Sequence, residues 1–461
     1  MALISLGCPK NLVDSEVMLA RLAECGFSTK SDMGEADVVV INTCSFLNSA
    51  RDEAEQWIRD AVRLKRQGSL KGVVVAGCLP ALERDRLFEG FDEIDAILGP
   101  RDRLKIAEAC DVALEANGRK ASFLDDSDSL VRRLHPRAIS TGRHTAYLKI
   151  AEGCNNKCSY CLIPRIRGNM VSRSMQSLVD EASRLAQSGV RELSLIAQDT
   201  TNYGVDLYGR PRLASLLKGL SRVEGVDWLR LLYTHPAHWS DEIVEAFAEN
   251  PKLCRYVDIP VQHFSEKVLR LMRRRTSQRA LVRVLEKMRM AVPGISLRTT
   301  VMVGFPGEGE KEFAELLGFL RDFRFDHLGA FAYSREQTTG AARLPNQVPE
   351  DVKEERLHRV MEAQQEISRS RNEAMVGREV TVLVDSVGPT RTRGVARTEG
   401  QAFEVDGVVR TSGANLQSGQ FLKVLIVGFN EYDLFGRRFS EDVLTNQAVG
   451  KTTITKRRRV E

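Results

Sequence analysis

Three cysteines stand in the run Glu152-Gly153-Cys154-Asn155-Asn156-Lys157-Cys158-Ser159-Tyr160-Cys161. Thiolates are the usual ligands of iron-sulfur clusters. Three of them on one short loop can grip three corners of a cubane while the fourth iron stays open to a cofactor. A zinc knuckle is the alternative for the pair Cys158 and Cys161, but zinc needs a fourth nearby Cys or His, which this loop lacks. A second trio is scattered: Cys8, Cys44 and Cys78 follow the runs Ile4-Ser5-Leu6-Gly7, Val40-Ile41-Asn42-Thr43 and Val75-Ala76-Gly77. If those runs are strands of one parallel sheet, their carboxyl ends bring three thiols to a single edge. Gly7 and Gly77 would allow the tight backbone that a bulky cluster requires. Cys25, Cys110 and Cys254 lie in helical or strand patterns without partners and are expected to be small buried hydrophobes.

The elements that must position these thiols follow from the periodicity. Short apolar runs at Ala2 to Leu6, Asp37 to Ile41, Val73 to Ala76 and Ile94 to Leu98 alternate with amphipathic helical stretches such as Val13 to Glu24 and Ala50 to Lys65. That alternation predicts an α/β domain with a largely parallel, Rossmann-like sheet over 1–115. A polar connection, with Asp125-Asp126-Ser127-Asp128-Ser129 and then Arg132-Arg133, makes 116–139 a linker. Over 140–374 a second series of strands is expected at Ala146 to Ile150, Glu192 to Ile196, Trp228 to Leu232, Arg255 to Ile259, Ser296 to Val301 and His327 to Phe331. Helical patterns separate them, giving six β-α units and an open partial barrel of parallel strands. Cys154 then sits just past the first barrel strand, on the edge where such folds place their chemistry. A charged helix over Pro349 to Arg371 leads to β-rich runs broken by Gly and Pro, read as a small all-β barrel over 375–441. The tail 442–461, ending in Lys456-Arg457-Arg458-Arg459, is expected to be disordered.

Composition narrows the setting. The chain has 461 residues with 43% hydrophobic content, enough for two or three domains with their own cores. Its net charge of +5, from 67 basic and 62 acidic residues, is too small to indicate a nucleic-acid partner by itself. No run approaches the eighteen or so apolar residues of a membrane span, and the first residues do not have signal-peptide form, so no membrane partner and a cytoplasmic location are expected. Nine cysteines in such a chain argue for reduced thiols used as ligands rather than disulfides.

The cysteine loop resembles that of radical S-adenosylmethionine (SAM) enzymes. Together with Ser5-Leu6-Gly7-Cys8-Pro9-Lys10-Asn11-Leu12-Val13-Asp14-Ser15-Glu16, Asn42-Thr43-Cys44 and Gly77-Cys78-Leu79-Pro80, it is similar to the methylthiotransferase family from the first residues to about residue 440. Members that modify tRNA usually carry a Cys-Gln-Met-Asn-like run at the first cysteine. Cys8-Pro9-Lys10-Asn11 instead resembles the ribosomal-protein branch, as do Ile196-Ala197-Gln198-Asp199-Thr200-Thr201, Asp258-Ile259-Pro260-Val261-Gln262-His263 and Gly329-Ala330-Phe331-Ala332-Tyr333-Ser334.

The resemblance implies a transferase that methylthiolates the β-carbon of an aspartate in the twelfth protein of the small ribosomal subunit, free or on the ribosome. It implies two 4Fe-4S clusters: a radical-SAM cluster on Cys154, Cys158 and Cys161, and an auxiliary cluster on Cys8, Cys44 and Cys78 whose open iron carries the sulfur to be transferred. One SAM would donate a methyl group and a second would yield the 5′-deoxyadenosyl radical. A low-potential donor such as flavodoxin or ferredoxin would supply electrons. Tyr160, before the third cysteine, would lie beside the adenine. Gln198, Asp199, Gln262 and Arg298, at barrel strand ends, would line the SAM pocket. His263 is as readily a structural hydrogen-bonding residue as a catalytic one, and the turn Gly304-Phe305-Pro306-Gly307 could let backbone approach the nucleoside. Ala197-Gln198-Asp199 replaces the Gly-Gly-Glu run common in radical-SAM proteins. The C-terminal segment resembles a TRAM domain, with Arg391, Arg393, Arg397 and Arg410 available to ribosomal RNA and Glu399, Glu404 and Asp406 to a basic protein loop. The rival readings are methylthiolation of a tRNA adenosine and a zinc-stabilised, non-catalytic RNA-binding protein.

Overall fold

The computed structural model describes residues 1–115, 118–125 and 131–438. The acidic run from Asp126 to Ser129 and the tail with Lys456 to Arg459 lie outside the described residues. The first five strands, β1 (Ala2–Ser5), β2 (Val38–Thr43), β3 (Gly72–Gly77), β4 (Ala96–Leu98) and β5 (Ala121–Phe123), lie in sequence order, every neighbouring pair parallel. Side chains alternate across a strand, and both faces here are apolar. Val39, Ile41, Val73 and Val75 pack with Ile58 and Val62 of the helix Asn48–Arg66, while Val38, Val40 and Val74 pack with Met18 and Leu22 of the helix Pro9–Glu24. A sheet covered on both faces reads in sequence as the continuous apolar runs seen at β2 and β3.

The chain continues through β6 (Thr145–Lys149), then a two-residue hairpin of β7 (Ala151–Glu152) and β8 (Val171–Ser172), to β9 (Glu192–Ile196), β10 (Trp228–Leu231), β11 (Leu253–Asp258), β12 (Ser296–Val303) and β13 (His327–Ala332). Six of these form an open parallel sheet in the order β6, β9, β10, β11, β12, β13. Its register lines Leu148, Leu195, Leu231, Val257 and Leu297 in one row across five strands, all fully buried. At about 1.5–3 kcal/mol for each buried aliphatic side chain, this row anchors the sheet independently of the polar groups at its edge. The partial barrel is therefore open.

Met1–Ile367 and Ser368–Glu461 are two compact units, and the long helix Glu350–Glu373 runs from one into the other. In the second, β14 (Glu379–Val387), β15 (Arg393–Thr398), β16 (Val409–Ser412), β17 (Phe421–Phe429) and β18 (Leu434–Arg438) close into a barrel. Closure depends on β18 pairing with both β16 and β17. Val382, Val384, Ala396, Val409 and Val424 fill the barrel. Arg397 is 1% exposed and forks onto both oxygens of Asp385 at 2.7 and 2.8 Å, and Arg410 pairs with Asp433 at 2.9 Å. Those two arginines are engaged within the barrel, whereas Arg391 and Arg393 are exposed.

Candidate active site

Strand register brings the first trio together. Thr43 pairs with Gly77 across β2 and β3, so Cys44 and Cys78 leave adjacent strands at the same level. Cys8 caps the start of the helix Pro9–Glu24 and follows Gly7, whose φ is +90°. A Cβ on Gly7 would stand 2.6 Å from the Cβ of Cys44, and one on Gly77, at φ +93°, would stand 2.3 Å from Asn42 Oδ1. Only glycine fits either close approach. Asn11 sews the strand ends together, its Nδ2 donating to Leu6 O at 2.7 Å and Asn42 O at 3.2 Å. Burial would raise the Cys8 thiol, but Lys10, Arg167 and backbone N–H groups lower it, whereas burial pushes Cys78 up to about 12.

A buried charge network ties this edge to the barrel. Arg167 is 1% exposed. Its Nη1 donates to Glu152 at 2.7 Å and Asp14 at 3.0 Å, and its Nη2 donates to Asn11 Oδ1 at 3.2 Å and Cys78 Sγ at 3.5 Å. Lys149 pairs with Asp14 and with Glu152, and Arg103 lies 3.6 Å from Asp14. Three cations thus meet two carboxylates in a dry region, an excess of positive charge that thiolates would balance. Arg101 clamps the segment from outside the barrel, donating to the carbonyls of Arg167 and Asn169 at 2.6 Å. Arg137 bridges Glu16 at 2.5 Å and Glu181 at 2.6 Å, joining the first helix to a barrel helix.

The second trio sits on the loop inside the β7–β8 hairpin. Cys154 N–H donates to Gly168 O at 3.1 Å, and the thiols of Cys154 and Cys161 accept from the N–H groups of Asn156 and Ile163, each at 3.4 Å. Ser159 pins the loop, donating from N to Met272 O at 3.0 Å and from Oγ to Leu271 O at 2.7 Å. Buried Arg274 stands 3.8 Å from Cys158 Sγ and donates to Pro260 O at 2.6 Å. Tyr160 meets Phe305 edge-on at 6.2 Å in an apolar cluster with Met272, Met302 and Tyr333. Burial raises Cys154 to about 11 and Cys161 to about 12. Such thiols ionise when a metal takes them.

The strand-end candidates divide. Asp199 is buried and central: its carboxylate accepts from Asn156 Nδ2 at 2.8 Å and Thr201 Oγ1 at 2.5 Å and pairs with His238 at 2.8 Å. Burial would raise its pKa, but His238 and Thr201 hold it at about 2. Asp199 therefore braces the cysteine loop through Asn156. Gln198, beside it, is half-buried. Gln262 adopts φ +67° with Oε1 buried and, among the described residues, without a hydrogen-bond partner, which suits a group donated by a ligand. Arg298 pairs with Asp258 at 3.1 Å, beside Tyr233, whose N–H donates to the other Asp258 oxygen at 3.0 Å. His263 is structural: fully buried, it pairs with Glu308 at 3.1 Å and accepts from Ser265 N–H at 3.0 Å. Gly304 likewise serves Glu308, donating to it at 3.0 Å, and a Cβ there would meet Lys353 at 2.2 Å. Cys110 and Cys254 are buried as expected, but Cys25 is exposed, because the first helix ends there.

The donor sets suit iron-sulfur clusters. Strand register gathers the first trio at one sheet edge, and one short loop carries the second. Yet among the described residues no three His, Cys, Asp or Glu side chains gather closely enough for one metal ion. In a cubane each thiolate binds a different iron, so a cluster does not require the three sulfurs to converge on one point. Arg167, Arg274, Asn11 and Asp14 were not singled out from sequence. Asn11 and Asp14 did lie in the run after Cys8.

Comparisons with known proteins agree with this layout. Residues 148–320 match the Radical SAM superfamily, residues 1–99 the uncharacterized protein family UPF0004, and residues 376–438 the TRAM domain. The ribosomal protein uS12 methylthiotransferase RimO of Pelotomaculum thermopropionicum is 47% identical, with 95% of this chain and 98% of that protein covered. That of Desulforamulus reducens is 44% identical with the same coverage. That of Clostridioides difficile is 41% identical, with 95% and 98% covered. Among solved structures, the radical SAM methyltransferase TsrM from Kitasatospora setae, with cobalamin and a 4Fe-4S cluster bound, is 16% identical. It aligns at TM-score 0.55 over 73% of this chain and 75% of its own. That likeness speaks for the fold.

Proposed function

The chain belongs to the ribosomal protein uS12 methylthiotransferase family, and from that premise we propose how its own residues divide the work. It is a radical-SAM transferase with 4Fe-4S clusters that adds a methylthio group to an aspartate of uS12. Cys154, Cys158 and Cys161 hold the radical-SAM cluster, and Cys8, Cys44 and Cys78 hold the auxiliary cluster. Residues 1–115 carry the auxiliary site, 140–374 the radical-SAM site and 375–441 the TRAM-like barrel.

The observation that carries this division is the pair of thiol trios, each with one buried arginine at a sulfur: Arg167 at Cys78 and Arg274 at Cys158. When bound, SAM and the clusters supply a radical able to take hydrogen from carbon and a methylated sulfur for that carbon to accept. The protein holds six thiolates, donates N–H groups to them and excludes water with Tyr160, Phe305 and Tyr333. Tyr160, Gln198, Asp199, Gln262 and Arg298 complete the SAM pocket. Gln262, whose buried Oε1 has no hydrogen-bond partner among the described residues, is the best supported of these.

A contact between the C-terminal barrel and ribosomal RNA is supported by the TRAM match, with Arg391 and Arg393 the arginines on its surface. Among the described residues no helix is long and apolar enough to cross a membrane. We place the enzyme in the cytoplasm, served by a flavodoxin- or ferredoxin-type donor.

Anaerobic reconstitution with uS12, SAM and reductant tests the reading. Mass spectrometry should find one methylthio group on an aspartate, from a protein holding about eight irons. A mass gain on tRNA with none on uS12 would reassign the substrate, and zinc without labile sulfide would remove the enzyme reading altogether.

A further inference from the structure

Lys10 carries a charge that no carboxylate among the described residues pairs with directly, the Cys8 thiol two residues before it being the ionisable group that favours the ammonium most. It sits on the first turn of the helix Pro9–Glu24, two residues after Cys8, and is only 5% exposed. Its ammonium stands 3.0 Å from the centroid of the Tyr233 ring. An aromatic face attracts a cation, but it replaces only part of the hydration lost on burial. Among the described residues no carboxylate or carbonyl accepts a hydrogen bond from Lys10. The carboxylates in its neighbourhood are engaged elsewhere: Asp258 by Arg298 and the Tyr233 N–H, and Glu152 by Lys149 and Arg167.

The ring beneath the ammonium is held firmly. Tyr233 adopts φ +58°, a region that a bulky residue rarely enters. Its N–H is fixed by Asp258, and its carbonyl accepts from Thr200 N–H at 3.0 Å. Backbone held in such a region by its surroundings gathers at functional sites. The Lys10–Tyr233 contact also joins the edge bearing Cys8, Cys44 and Cys78 to the carboxyl end of β10. A side chain that must receive sulfur from one site and lose hydrogen to the other has to reach this seam.

We infer that Lys10 is a substrate-binding residue whose ammonium pairs with the carboxylate of the aspartate to be modified, above the Tyr233 ring. The inference rests on the uS12 reading and adds to it the group that selects an acidic side chain. A carboxylate entering this dry site would be paired on arrival, whereas the neutral amide of asparagine would leave the ammonium without a carboxylate partner.

The test uses the reconstituted holoenzyme and two uS12 peptides, one with the target aspartate and one with asparagine in its place. Modification of the aspartate peptide by the wild type is the control for the functional reading, and its failure would count against that reading rather than against Lys10. With that control met, the asparagine peptide should inhibit roughly tenfold or more weakly than the aspartate peptide binds. Lys10→Met, with iron content and cluster absorption equal to wild type, should raise KM for the aspartate peptide roughly ten- to a hundredfold and abolish the preference over asparagine. Lys10→Arg should recover part of the preference. Equal binding of the two peptides by the wild type overturns the inference without recourse to any variant. An unchanged KM and preference in Lys10→Met overturns it as well.

Discussion

A methyl group added at Gly7 would fall 2.6 Å from the Cβ of Cys44, on backbone that already sits at φ +90°. The obstacle cannot yield cheaply, because it is the root of the Cys44 side chain, fixed to its backbone. Gly7→Ala should therefore lose the auxiliary cluster, and anaerobic iron analysis should fall from about eight to about four per chain. Arg167 acts through charge instead. Replacing it with Met leaves Asp14 and Glu152 buried with one cation fewer, and denaturant unfolding should show a loss of about 3–5 kcal/mol. At this scale the six cysteines were legible because each follows an apolar run or shares one loop. Arg167 was not. In Ile163-Pro164-Arg165-Ile166-Arg167 the two arginines look alike, yet Arg165 is exposed and Arg167 fully buried, a difference made by Asp14 from far along the chain.

The hairpin of β7 and β8 decides where the radical-SAM loop can sit. Gly153, at φ +71°, passes so close to the returning strand that a Cβ there would lie 2.2 Å from Asn169 O. Gly153→Ala should open the hairpin and cost the cluster on Cys154, Cys158 and Cys161 while sparing the other. Electron paramagnetic resonance of the reduced protein should then show one cluster signal, unperturbed by added SAM. Periodicity could not find this element, since two residues per strand carry no pattern. The longer strands were legible to within two or three residues at their ends because their apolar runs are continuous. β5 and β18 escaped for the opposite reason. One is three residues long, and the other, Leu434-Phe435-Gly436-Arg437-Arg438, carries glycine and two arginines and gains its place from pairing with β16 and β17.

Across the whole molecule, the two compact units have separate apolar cores. Thermal unfolding of the holoenzyme should accordingly show two transitions. Anaerobic removal of iron should lower the one belonging to Met1–Ile367, which carries both cysteine trios, and leave that of the C-terminal barrel in place, as calorimetry with and without chelator can resolve. The sequence foretold a parallel sheet and a partial barrel but did not foretell how they share one unit. That junction is made by Asp14, Arg101 and Arg137, ordinary charged residues until the partners Lys149, Arg167 and Glu181 are brought to them. The Arg101 clamp bears on descent as well as on folding. A barrel transplanted from another such enzyme would bring carbonyls at 167 and 169 that here share one guanidinium, so Asp14, Arg101 and Arg167 should be inherited as a set, and recombination between lineages should succeed at the helix Glu350–Glu373 far more often than within the first 170 residues.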